Sequence, residues 1–139
     1  MRTIKFRGKR LDGEGWAYGY PLEKFQAIDA EPRIVIDTCR TFANDGYHSL
    51  EQYAVLPESV GQWTGLVDRH GKEIYEGDVL LNITNPLVDN EPFLIYYDTQ
   101  EGMWMWFDKN EEGDAFNWAI AKHSEIIGNE FDNPELMEV

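Results

Sequence analysis

The sequence predicts a mainly β protein with few short helices, and three observations carry that prediction. Short runs of apolar and β-branched residues recur along the chain, and turns that contain glycine separate them. Segments with the periodicity of a helix are few and short. Hydrophobic residues make up 42% of the 139 residues, which is enough to build a core and argues against a disordered chain.

The N-terminal part of the chain predicts a hairpin followed by separate strands. The tetrapeptide at 12–15, Asp-Gly-Glu-Gly, has the composition of a hairpin loop between two apolar runs. Pro32 precedes a β-branched run, at a position where a missing N–H does no harm, and Pro57 ends another strand. The strands predicted here are residues 4–11, 16–22, 33–37 and 53–56.

The C-terminal part predicts strands that alternate with tight turns. Turns are predicted at 68–71, 76–78 and 99–102, which all contain glycine beside polar residues. The strands predicted here are residues 72–75, 79–84, 93–98, 103–108 and 125–127. Helices are predicted only at 21–30 and 115–121, and both are short.

The order of these elements predicts two subdomains, 1–60 and 61–139, that could also form one compact unit. The sequence Tyr-Glu-Gly-Asp-Val-Leu-Leu at 75–81 precedes a strand, a tight hairpin and another strand. This succession resembles the opening of SH3-like small barrels. We therefore place such a barrel at roughly 64–129, packed with an N-terminal β subdomain.

The most specific pattern lies at residues 61–81, where glycines recur with apolar or aromatic residues between the turns. With the blocks 4–10, 16–20, 57–66 and 125–136, in this order, the pattern resembles the YopX family. That family is a set of phage- and prophage-associated proteins with no established activity. The resemblance implies a protein in the cytoplasm of a bacterial host. The signature residues, which we expect to be structural, are Gly61, Trp63, Gly65, Gly71, Ile74, Tyr75, Gly77 and Asp78.

The formal net charge of −14 is unevenly spread along the chain. Residues 1–84 hold 13 acidic and 10 basic residues, which gives −3, whereas residues 85–139 hold 13 acidic and 2 basic residues, which gives −11. A surface this acidic repels phosphate backbones, so we expect no duplex nucleic-acid partner. No apolar run reaches the roughly 20 residues that span a bilayer, and we expect no membrane association.

The carboxylates of Glu73, Glu76 and Asp78 form the densest acidic group in the signature. Paired carboxylates serve acid–base chemistry in hydrolases. However, Gly77 and Asp78 also have the composition of a turn, in which glycine supplies a positive φ and the Asp side chain accepts a backbone hydrogen bond. We therefore interpret this group as structural and predict no catalytic residue.

No other pattern predicts a metal or cofactor site. The histidines His48, His70 and His123 are scattered, whereas a zinc site needs about four clustered ligands. The single cysteine, Cys39, has no neighbouring base that would make it a nucleophile, and it fits a reducing compartment. The glycine spacings match neither phosphate-binding nor dinucleotide-binding loops.

The segments 93–97 and 103–107 are apolar on both faces of their strands. In the second segment, alternation separates Trp104 and Trp106 from Met103, Met105 and Phe107. Two apolar faces require burial on both sides, within the chain's own core or against a partner, and both alternatives stay open. The candidate interaction surface, on which we base an expected homo-oligomer, is Phe93, Ile95, Tyr97, Trp104 and Trp106.

Three hypotheses for function follow from these features. The first is an accessory protein that acts by contact with an unidentified protein partner and has no catalytic activity. The second is an acidic mimic of DNA that blocks a host nucleic-acid-binding protein, which needs rows of carboxylates on one face. The third is weak nucleic-acid binding through the basic N-terminal strand, where Lys5, Arg7 and Lys9 share a face.

Overall fold

The computed structural model describes residues 2–24, 33–37, 40–41, 48–49, 52–83, 91–110 and 113–138. The chain divides into two compact units, Met1–Gln62 and Trp63–Val139. The predicted mainly β class is confirmed, because the described residues form thirteen strands and every strand pair is antiparallel.

The first unit is built on a meandering sheet with the strand order β6-β3-β2-β1. Its strands are β1 (Phe6–Lys9), β2 (Trp16–Lys24), β3 (Arg33–Asp37), β4 (Arg40–Thr41), β5 (His48–Ser49) and β6 (Gln52–Ala54). The predicted hairpin is confirmed, since β1 pairs with β2 across the glycine-rich loop. A small core of Ala17, Ile36 and Val55 packs on this sheet.

The helix predicted at 21–30 is wrong over its first four residues. These residues belong to β2, which runs to Lys24 and pairs with β3. Pro21 is tolerated there because it lies beyond the last pair with β1, Phe6 with Gly19, so its missing N–H interrupts no ladder on that side. The remainder of the predicted helix and Cys39 lie outside the described residues.

The second unit contains a sheet with the strand order β12-β11-β10-β9-β13 and a β7–β8 pair. The strands and the one described α-helix are β7 (Gly61–Val67), β8 (Glu73–Tyr75), β9 (Asp78–Asn82), β10 (Phe93–Asp98), β11 (Met103–Asp108), β12 (Asp114–Ala115), α1 (Trp118–Ala121) and β13 (Ser124–Asn129). The first two residues of β7 belong to the first unit, where they pair with β1. Over the described residues the sheet is open at β12 and β13, so closure into a barrel is not seen.

The helix predicted at 115–121 is shorter than expected and starts later. Asn117 caps it, because its side-chain oxygen accepts a hydrogen bond from the Ile120 N–H at 3.1 Å. Ala115 lies in β12 instead, opposite Met105 of β11. Short 3₁₀ helices at Pro57–Ser59 and Pro134–Met137 begin at prolines, which lack the N–H that such a start would leave unpaired.

The core of the second unit lies on one face of its sheet. The buried side chains that meet there come from β8, β9, β10 and the region of α1, and they are Ile74, Leu80, Phe93, Ile95, Phe116 and Ala121. Half-buried Trp104 and Trp106 of β11 pack against them. Alternation along β10 and β11 puts these residues on the same side of the hairpin.

Candidate functional site

The first signature turn is organised by the carboxylate of Asp68, which is buried. One carboxylate oxygen accepts hydrogen bonds from the backbone N–H groups of His70 at 2.8 Å and Lys72 at 2.9 Å. The other accepts one from Ile126 in β13 at 3.2 Å. Asp68 therefore closes its own turn and ties it to the last strand, which is a structural use of a buried charge.

The second signature turn is formed by Gly77 and Asp78. Gly77 has φ 88°, in the left-handed region that favours glycine. The buried Asp78 carboxylate accepts the backbone N–H of Tyr75 at 2.8 Å. Over the part of the chain that the structure describes, no group of three or more His, Cys, Asp or Glu side chains is arranged to hold a metal ion.

The remaining signature residues build strands and turns. Ile74 and Tyr75 are buried, and the Trp63 indole N–H donates to the carbonyl of Leu66 at 3.0 Å. Gly61 pairs with Arg7 of β1. Gly65 and Gly71 of the signature also have positive φ, as Gly77 does. The signature thus specifies backbone geometry.

The closing block at 125–136 also has a structural explanation. A bulge between Ile126 and Gly128 shifts the register of β13 against β9. A Cβ at Gly128 would overlap the side chains of Asn133 and Leu136, so a larger residue would require both to shift. The Asn129 side-chain oxygen accepts the N–H groups of Phe131 at 3.0 Å and Asp132 at 2.9 Å, which closes the turn that follows β13.

One face of the β10–β11 hairpin belongs to the core of its own unit. Ile95 is 0% exposed and Phe93 is buried beside it, so neither side chain is available to a partner. Trp104 and Trp106 lie on the same face and pack against the core. Tyr97 is 43% exposed and meets the Trp104 ring edge-on, with 4.9 Å between centroids. Of the five candidate interaction residues, Tyr97 is the exposed one, whereas Phe93 and Ile95 are buried within their own unit.

The second face of the hairpin, formed by Leu94, Tyr96, Met103, Met105 and Phe107, is also apolar. None of its side chains is among the described residues of the core cluster. Tyr96 contacts Phe107 edge-on at 5.4 Å, and its hydroxyl donates to the Met105 sulfur at 3.8 Å. Leu94 is buried, whereas the other four side chains are half-buried. This face keeps apolar area in contact with solvent.

The basic N-terminal strand does not present a free row of cations. Arg7 is only 6% exposed, and its guanidinium lies 4.6 Å from the centre of the Trp16 ring. Arg10 lies 4.1 Å from the centre of the Tyr53 ring and binds the Asp12 carboxylate. Much of the charge that would attract phosphates is therefore engaged by groups of the same unit.

The structure describes the side chains of two of the three histidines, His70 and His123. The His70 imidazole lies 3.6 Å from the Glu125 carboxylate. His123 lines a pocket with Arg69, Ile83 and Lys122. Sequence reasoning missed this grouping, because its members come from three distant segments and show no local spacing. The His48 side chain lies outside the described part of the chain.

Comparison with known proteins identifies a family and a similar solved structure. A family model described as YopX protein matches residues 5–138. The crystal structure of protein EF1440 from Enterococcus faecalis is similar, with a TM-score of 0.61 and 22% sequence identity, over 99% of this chain and 100% of that chain. The comparison with curated proteins gave no match. No helix among the described residues is long and apolar enough to cross a membrane.

Proposed function

Because this chain belongs to the YopX family, we propose that it is a phage or prophage accessory protein that acts by protein–protein contact and catalyses no reaction. The structural roles of the signature carboxylates support the non-enzymatic part. Asp68 and Asp78 each accept backbone hydrogen bonds in buried turns, so neither is placed to exchange protons with a substrate.

The observation that carries the proposal is the second face of the hairpin. A strand pair in a small antiparallel sheet normally turns one polar face to water. Here Met103, Met105 and Phe107 keep that face apolar and half-buried. Methionine adapts its shape to a partner, and aromatic residues are enriched at protein interfaces. The face fits a protein surface better than it fits bulk water.

The SH3-like interpretation of the second unit is part of the same proposal. Strands β9 to β12 follow one another as a meander, and after the short helix α1 the last strand, β13, returns to pair with β9. Such an order supports a small barrel of that kind, with β12 and β13 as the strands that closure would bring together.

We propose a second copy of the chain as the first occupant of this face. Each copy brings a net charge of −14, which opposes assembly. Salt at physiological concentration screens that repulsion beyond about 8 Å, whereas the burial of apolar area is not screened. Association should therefore strengthen as the salt concentration rises.

Light scattering coupled to size-exclusion chromatography tests this proposal at low and high salt. The double variant Met103→Gln and Met105→Gln should shift the mass toward the monomer. Met137→Gln makes the same exchange in the C-terminal 3₁₀ helix and should leave the mass unchanged. A wild-type mass of 16.2 kDa at high protein and salt concentrations would refute self-association, and equal behaviour of both variants would refute the assigned surface.

The acidic mimic of DNA is the alternative that the charge of 85–139 favours. Asp98 and Asp108 lie in that segment, but each carboxylate accepts backbone N–H groups from its own turn. The positions of these two carboxylates are therefore set by their turns. This makes it harder for them to form a row of carboxylates with the spacing of DNA phosphates. Release of a host nucleic-acid-binding protein from DNA by the purified protein would favour the mimic over the contact through the hairpin.

A further inference from the structure

A pocket of about 360 Å³ in the second unit is lined by Arg69, Ile83, Lys122 and His123. Its volume lies at the small end of the range for ligand sites, roughly 300–1,000 Å³. Three of the four lining side chains carry nitrogen donors, and no carboxylate is among the lining residues that the structure describes. The described lining is therefore basic, whereas the chain as a whole is acidic.

The contrast with the rest of the unit is large. Residues 63–139 contain 17 acidic residues against four Lys or Arg, which gives −13. Two of those four bases, Arg69 and Lys122, line the pocket, together with one of the two histidines in the same range. Acidic residues outnumber bases by about four to one in this unit. Residues placed at random would therefore line a pocket mostly with carboxylates, whereas the described lining has two bases and no carboxylate.

Backbone hydrogen bonds hold the lining segments together. The Arg69 N–H donates to the Ser124 carbonyl at 2.9 Å, and the Ile83 N–H donates to the His123 carbonyl at 3.2 Å. The Lys122 N–H closes the last turn of α1 on the Trp118 carbonyl at 3.0 Å. The pocket is therefore built from the first signature turn, the end of β9 and the chain between α1 and β13.

The two bases keep their charge available for a ligand. Lys109 pairs with Glu91, and His70 lies near Glu125, but no ion pair recorded for the described residues involves Arg69 or Lys122. The Lys122 ammonium lies 4.0 Å from the centre of the Trp118 ring, a contact that holds the side chain and neutralises no charge. An anion in the pocket would be attracted by both cations.

We infer that this pocket binds a small phosphate group, either free phosphate or the phosphate of a small ester. A guanidinium and an ammonium bind phosphate oxygens by charge-assisted hydrogen bonds, and the imidazole of His123 adds an N–H donor. The ligand has to be small. A polyanion would extend over the acidic surface and be repelled, whereas a single phosphate feels mainly the donors within a few ångströms.

Proton NMR of the His70 and His123 imidazoles, assigned among the three histidines of the chain, tests the site in the full-length protein. Inorganic phosphate and glycerol 3-phosphate are titrated separately at constant pH, with chloride adjusted to keep the ionic strength constant. The His123 ring protons should shift saturably, while those of His70 should not. If both probes saturate the shift, free phosphate is sufficient as a ligand. If only glycerol 3-phosphate does, the ligand is a phosphate ester. No saturable shift with either probe, or equal shifts of both histidines, would overturn the inference.

Three charge-removing variants complete the test. Arg69→Gln and Lys122→Gln should each weaken binding about tenfold, which corresponds to the loss of one charge-assisted hydrogen bond. Lys72→Gln removes an equal charge from an exposed side chain outside the pocket and should leave affinity unchanged. Circular dichroism establishes that each variant is folded. Because Arg69→Gln and Lys122→Gln change different segments, each variant tests the site independently of the other. Folded variants of both that bind like the wild type would overturn the site.

Discussion

At the scale of single residues, the aspartates of this chain act as acceptors for their own backbone. Among the described residues, the aspartates whose side-chain oxygens accept backbone N–H groups include Asp12, Asp68, Asp78, Asp98, Asp108 and Asp114. An Asp at such a position closes a turn that the backbone alone would leave open. Part of the high negative charge is therefore a by-product of a fold with many tight turns.

Asp12 gives the first prediction at this scale. The backbone N–H of Glu14 and then the Arg10 side chain stabilise its ionised form, and they hold the pKa of Asp12 below its ordinary value of 3.8. In a carbon-detected NMR titration, Arg10→Gln should move this pKa upward only in part, because the backbone hydrogen bond remains. A return to the ordinary value would contradict the leading role of the backbone.

The lowered pKa of Asp12 determines how this residue's contribution to stability changes with pH. The folded protein binds this proton more weakly than the unfolded chain, so the contribution of Asp12 is complete above its unfolded pKa. It is lost as the pH falls through the lower, folded value. The dependence of stability on pH between those values should become shallower in Arg10→Gln.

Gly77 gives the second prediction. Gly77→Val should lower the free energy of unfolding by about 1 kcal/mol or more, because a β-branched residue is strained at φ 88°. Its Cβ would also lie 3.3 Å from the Phe131 ring. The control is Gly71→Val, with a similar φ of 80° but open space around the new Cβ. Urea unfolding should show the larger loss at Gly77; equal losses would remove crowding as a cause.

At the scale of elements, the sequence was most informative where alternation is strong. The bounds of β10 and β11 were predicted to the residue, because apolar runs end at Asp98 and Asp108, whose side chains close the following turns. Strand β7 was missed because it contains Gly65 at φ 86°, within an irregular register between Trp63 and Val67. A glycine that signals a turn in sequence can serve as a bulge inside a strand.

The candidate sites also differ in how far the sequence predicts them. The turn roles of Gly77 and Asp78 were predictable because the residues that interact are neighbours in the chain. The pocket was not predictable, because His123 meets Arg69 only through the pairing of β9 with β13 and the turn fixed by Asp68. Sequence patterns report local geometry, whereas this site depends on long-range strand register.

The β10–β11 hairpin supplies a prediction at this scale. Trp106→Ser should lower the free energy of unfolding by about 2 kcal/mol or more, since Trp106 packs on the core and meets Phe93 edge-on at 5.5 Å. Met105→Ser changes the next residue, on the opposite face, and should cost less. Chemical denaturation of both variants compares the faces. A greater loss at Met105 would show that the second face is the more buried one.

At the scale of the whole molecule, the charge distribution governs what can approach. We predict no binding of duplex DNA at physiological salt, because a net charge of −14 repels phosphates and Arg7 and Arg10 already contact aromatic rings. Fluorescence anisotropy with labelled duplex at about 150 mM salt measures this. A dissociation constant in the micromolar range or tighter would contradict the prediction.

The place of Arg7 over Trp16 has an optical consequence. Trp16 is the one tryptophan in residues 1–62, whereas residues 63–139 contain four. A guanidinium 4.6 Å from the indole perturbs its excited state, so Trp16 emission should change when the two side chains separate. The spectrum of the wild type minus that of Trp16→Phe isolates this emission. Followed during unfolding, the difference spectrum reports the first unit, and the emission of Trp16→Phe reports the second. Coincident transitions would show that the two units melt in one step, and separate transitions that they melt in two.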